Sequence, residues 1–72
     1  MELSEKLGQV VRALRKDRGA TLLEVAKQAG ISRETLIAVE QGRANPTLAT
    51  IQGIARTLHF EDHLWRVFYG LG

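Results

Sequence analysis

Apolar residues recur at Leu3, Leu7, Val10, Val11 and Leu14, the spacing of one helical face, and Gly19 closes that segment. The pattern predicts a first helix over about 4–18. Thr21 and Glu24 stand at the spacing of a capping box, and Gly30 suits the left-handed position that ends a helix, which predicts a second helix over about 22–29. Ser32 can cap a third helix that Gly42 terminates, leaving only Gly30 and Ile31 as connector. So short a link forces a sharp turn. Arg43-Ala-Asn-Pro46 is a loop by composition, and Thr47 can cap a fourth helix whose stripe is Leu48, Ile51, Ile54, Ala55 and Leu58. A short fifth helix is predicted over about 61–69, stopped by Gly70. No stretch alternates with period two over the length of a strand. The expectation is one all-α, compact five-helix domain over residues 1–72.

Five glycines at 8, 19, 30, 42 and 53 are spaced almost evenly, but they do not make a repeat. Three are helix stops, whereas Gly8 and Gly53 lie inside apolar helical patterns, where a small residue suits the close approach of two helices. At 72 residues the chain is near the lower size at which one apolar core sustains a fold, so help from a second copy is attractive. There is no cysteine, which removes disulfides and thiolate zinc sites and suggests a reducing, cytoplasmic setting. The charged start from Glu2 and the lack of any apolar run beyond four residues argue against a signal peptide or a membrane span. The net charge of +2 is too small to announce a polyanionic partner by itself. Its distribution says more, because seven bases (Arg12, Arg15, Lys16, Arg18, Lys27, Arg33, Arg43) fall between residues 12 and 43 against four acids. A local basic face is therefore expected.

The third helix carries an oddity, the unbroken run Leu36-Ile-Ala-Val39. With Leu36 at the origin and about 100° per residue, Val39 and Glu40 fall on its side. Glu34, Ala38 and Gln41 fall opposite, and Ile37 sits on a flank. Glu40 is thus on the inward face, where an unpaired carboxylate is costly and needs a partner. Arg33, in the first turn, could make two hydrogen bonds to guanine, and Glu34 could accept from cytosine; a solvated surface pair is the alternative for both.

Taken in order, LGQVVRALRKDRG, TLLEVAKQAGIS, RETLIAVEQG and ANPTLATIQGIARTL resemble the Cro- and cI-like phage-repressor helix-turn-helix family, also called the xenobiotic-response-element type. The resemblance covers about residues 7–58. It implies a lambda-repressor-like fold, a helix-turn-helix at about 21–42 and double-stranded DNA as partner, with the third helix in the major groove. It implies that Arg15 bonds Glu40 as a structural pair. Thr21 and Ser32, at the starts of helices 2 and 3, belong to the implied DNA face, and Gln41, Arg43 and Asn45 match positions that touch phosphate. The chain departs from the family where a glutamine often follows the cap of helix 2, which is Leu22 here, and at the outward positions Ile37 and Ala38. Both departures remove hydrogen-bonding capacity. Ile37 and Ala38 could read thymine methyls, or could belong to a protein-binding surface.

All four aromatics, Phe60, Trp65, Phe68 and Tyr69, lie in the last thirteen residues. Leu64, Trp65 and Phe68 form one stripe that Tyr69 extends. This fifth helix could seal the core, or could form a symmetric dimer seam with Leu64 and Phe68 inward and Trp65 and Tyr69 against a partner. His59 and His63 invite a metal, but HFEDH is not the HExxH pattern, and neither a metal site nor any cofactor is expected. No nucleophile–base arrangement appears, since Ser4 and Ser32 are accounted for as helix-start residues, so no enzyme is expected. The leading expectation is a DNA-binding transcriptional regulator acting as a homodimeric repressor on a palindromic operator. The alternative is an antitoxin-like module that neutralises a toxin protein and regulates its own operon.

Overall fold

The computed structural model describes residues 3–62. They form α1 (Leu3–Asp17), α2 (Leu22–Ala29), α3 (Arg33–Glu40) and α4 (Leu48–Leu58), with no strand among the described residues. Among the described residues, four helices stand where five are expected in the chain. Glu61 and Asp62 are helical, and the remainder of the expected fifth helix lies outside the described residues, with Leu64, Trp65, Phe68 and Tyr69 in it.

The local chemistry explains the boundaries. Thr21, Ser32 and Thr47 each hold an extended backbone and accept a hydrogen bond from the amide three residues on, at Glu24, Thr35 and Thr50. At the other end of α2, Gly30 adopts φ 74°, ψ 30°, a left-handed conformation that costs glycine nothing, and the Ile31 amide then reaches back to the Ala26 carbonyl at 3.0 Å. This closes the carbonyl end of α2 and turns the chain within three residues into the cap of α3. α4 ends differently: His59, considered in the sequence as a metal ligand, is its left-handed cap at φ 61°. Phe60 then donates its amide to Ala55 at 2.8 Å and enters the core.

The core joins one stripe from each helix: Val11 from α1, Val25 and Ala26 from α2, Leu36 and Val39 from α3, and Ile54, Ala55 and Leu58 from α4, closed by Phe60. Leu48, expected in the α4 stripe, is 50% exposed because it is the first helical residue, beside the exposed cap Thr47. Val10 is 48% exposed because Val11, about 100° further round α1, takes the buried position. α2 packs on α3 and α4, and α1 packs on α3 and α4.

α1 and α3 meet so closely at Gly8 that any Cβ there would run into the backbone carbonyls of Val39 and Glu40. Gly53 is closed in a similar way by the Ala29 carbonyl, 2.6 Å from where a Cβ would stand. Helix propensity alone predicts that Gly8→Ala stabilises the domain by about 1 kcal/mol. The contact reverses the sign: Gly8→Ala should lower the unfolding free energy by about 1–3 kcal/mol in urea titration followed by circular dichroism.

Candidate nucleic-acid interface

The first turn of α3 is the most open part of the helix-turn-helix. Ser32, Arg33 and Glu34 are all exposed, and Arg33 has no ion-pair partner among the described residues. The Ser32 hydroxyl accepts from the Thr35 amide at 3.0 Å, and the two hydroxyls lie 2.8 Å apart. Ser32 is therefore committed to the cap, while among the described residues nothing engages the Arg33 and Glu34 side chains.

The opposite end of α3 is held hard. Arg15, reaching from α1, donates from Nε to Glu40 Oε2 at 2.6 Å and from Nη2 to Oε1 at 2.9 Å, a two-pronged ion pair. Its Nη1 donates to the Ala20 carbonyl at 3.1 Å, so one guanidinium ties α3 to both α1 and the loop before α2. The bond to Glu40 raises the Arg15 pKa further above its already high ordinary value, against the opposing effect of burial. The side chains are only 12% and 6% exposed, and no buried polar side-chain atom among the described residues is left without a partner. The inward carboxylate of α3 is thereby satisfied.

At the start of α2, Thr21 donates its amide to the Glu24 carboxylate at 2.8 Å and its hydroxyl accepts from the Glu24 amide. The Thr21 amide, by donating to it, holds the Glu24 carboxyl pKa below its ordinary value. Leu22, the residue after the cap, is half-buried and packs against the core, so it is less free than its sequence position suggests. After α3, the carbonyl of Ala38 accepts from both Arg43 and Ala44 amides, at 3.0 and 3.2 Å. That anchors the loop and leaves the Arg43 and Asn45 side chains exposed, with Gln41 exposed just before them. Ala38 itself is half-buried, as is Ile37.

The expected residues do not all come together. Leu22, Ile37, Glu40 and Gln41 meet Arg15 around a cleft of about 410 Å³, whose remaining wall is Arg12. Arg33, Glu34, Ala38, Arg43 and Asn45 are not among its walls. Sequence reasoning missed Arg12 as a member of this group, although its position one turn before Arg15 puts both on neighbouring parts of the same helical face. Among the described residues no group of acids and histidines is arranged to hold a metal ion, and no helix is long and apolar enough to cross a membrane.

A family model described as a helix-turn-helix domain matches residues 6–67. An uncharacterised HTH-type transcriptional regulator of Methanothermobacter thermautotrophicus is 43% identical over 56 residues, covering 74% of this chain and 81% of that protein. The immunity repressor protein of Bacillus phage phi105 is 38% identical over 52 residues, covering 72% of this chain but 36% of the repressor. The HTH-type transcriptional regulator DdrOP3 of Deinococcus deserti is 41% identical over 58 residues, covering 81% of this chain and 45% of that protein. The chain thus spans less than half of the last two relatives. No solved structure matches it significantly.

The Arg15–Glu40 pair generates a test. Removing one partner strands the other charge in a nearly closed site, so Arg15→Met or Glu40→Leu alone should each cost about 3–5 kcal/mol. The double variant should recover at least about 2 kcal/mol of the summed loss, measured as a double-mutant cycle by chemical unfolding. Additive losses would mean that the two charges stabilise the fold independently.

Proposed function

The chain belongs to the helix-turn-helix domain family, and we propose that it is a sequence-specific DNA-binding transcriptional regulator. The observation that carries this reading is the contrast between the two ends of α3. Its C-terminal end is bolted to α1 by Arg15 and Glu40, while its first turn offers Arg33 and Glu34 to solvent without partners among the described residues. An α-helix so presented suits a major groove about 12 Å wide, where Arg33 would bond guanine and Glu34 would accept from cytosine N4. The exposed side chains of Gln41, Arg43 and Asn45 would hold phosphate.

In the fuller form of this reading the regulator is a repressor that blocks transcription from a palindromic operator as a homodimer. The immunity repressor similarity supports the first part, and the concentration of aromatics at Trp65, Phe68 and Tyr69 supports the second. Membership of the helix-turn-helix domain family fits the expectation that the chain is not an enzyme. A second reading, an antitoxin-like partner of another protein, draws on the half-buried apolar Leu22 and Ile37 at one cleft.

Selection of binding sites from random duplexes separates the two. Enrichment of a two-fold symmetric motif is the expected outcome; failure to enrich any sequence at low salt would favour the protein-binding reading. On the enriched duplex, affinity should fall steeply with salt. Arg33→Ala should weaken binding there by roughly 1–3 kcal/mol in fluorescence anisotropy. Unchanged affinity in that variant would remove Arg33 from base reading.

A further inference from the structure

The cleft between α1, α2 and α3 has a composition that narrows its occupant. Of its six walls, Arg15 and Glu40 are spent on each other. Arg12 is exposed and has no ion-pair partner among the described residues, so it is the cleft's uncompensated positive charge. Leu22 and Ile37, both half-buried, are its apolar surface, and Gln41 stands at its edge as the one free amide. Two apolar side chains beside one free cation make a poor site for a hydrogen-bonded base edge. They suit an apolar group carried on a chain of negative charge. In the major groove of DNA only the C5 methyl of a pyrimidine answers that description, being the sole apolar group that a base edge displays there. At about 410 Å³ the cleft also has room for more than a methyl, as it must if the attached sugar and phosphate lie along Arg12.

Resting on the DNA-binding reading above, we infer that Leu22 and Ile37 together form a methyl-reading site for one thymine, and that Arg12 holds the phosphate beside it. This assigns a single shared contact to Leu22 and Ile37, two of the three positions where the chain departs from its family's hydrogen-bonding pattern. It also brings Arg12 into the interface. The site reads the C5 methyl and not the thymine oxygens, so 5-methylcytosine satisfies it and uracil does not.

The test acts first on the DNA, where protein folding is not at issue. Each thymine of the enriched duplex is replaced singly by uracil, which deletes the methyl and keeps every hydrogen bond, and affinity for the wild-type chain is measured by fluorescence anisotropy. One position in each half-site should lose about three- to tenfold, the scale of one buried methyl group. At that position a pair containing 5-methylcytosine should bind better than the same pair with cytosine by a similar factor. In Ile37→Ala and in the milder Ile37→Val the uracil penalty should shrink. Arg12→Ala should flatten the dependence of affinity on salt by about one phosphate contact while leaving the thymine-to-uracil ratio unchanged. Tight binding of the enriched duplex with no uracil-sensitive position would overturn the methyl site and leave the DNA-binding reading standing. Failure to enrich any duplex would overturn both. A uracil penalty of the same size in wild type and both Ile37 variants would assign the methyl contact elsewhere and overturn the proposal.

Discussion

A helix that is to enter a groove must be held by one face only, and in this chain the bond between Arg15 and Glu40 carries that constraint. α3 is eight residues long, too short to be stable alone in water, so its orientation comes entirely from what it packs against. Leu36 and Val39 supply the apolar part of that anchorage and are fully buried. Burial is non-directional, however, and two side chains on a short helix still leave it free to roll. The two-pronged bond at 2.6 and 2.9 Å is directional. Glu40 is also held through its backbone, since α1 comes at Gly8 against the carbonyls of Val39 and Glu40 with no space for a Cβ. Geometry and chemistry act on the same turn of α3, and the first turn is left clear.

The same pair removes the largest internal liability of so small a domain. A carboxylate on the inward face would be expensive unless fully bonded, and the three donations from Arg15 leave the guanidinium shared between Glu40 and the Ala20 carbonyl. Among the described residues nothing comparable holds Arg12 or Arg33, both exposed, whereas Arg15 is spent on Glu40 and the Ala20 carbonyl.

Much of this was legible in the residues because local chemistry decides it. Thr21, Ser32 and Thr47 mark helix starts by satisfying orphan amides, and Gly30 marks a stop by taking a conformation that other residues avoid; these act within four residues and need no knowledge of the fold. The angular position of Glu40 was equally local. What failed to show was long-range. Leu48 belongs to the apolar stripe by period but stands at the exposed beginning of α4. His59 reads as a ligand until its backbone is seen to be the left-handed cap that turns Phe60 inward. Leu22, Ile37 and Arg12 come from three helices, and no pattern within any one of them reveals that they share a cleft.

If α3 offers its first turn, and the cleft behind it, to DNA as proposed, titration of the isotope-labelled chain with the enriched duplex will show it in the backbone amide signals followed by nuclear magnetic resonance. The largest shifts are expected at Ser32, Arg33, Glu34 and Ile37, with Thr21 and Leu22 next and little change at Ala55 or Leu58. Large shifts around Val10 or along α4 with the first turn of α3 unmoved would contradict it.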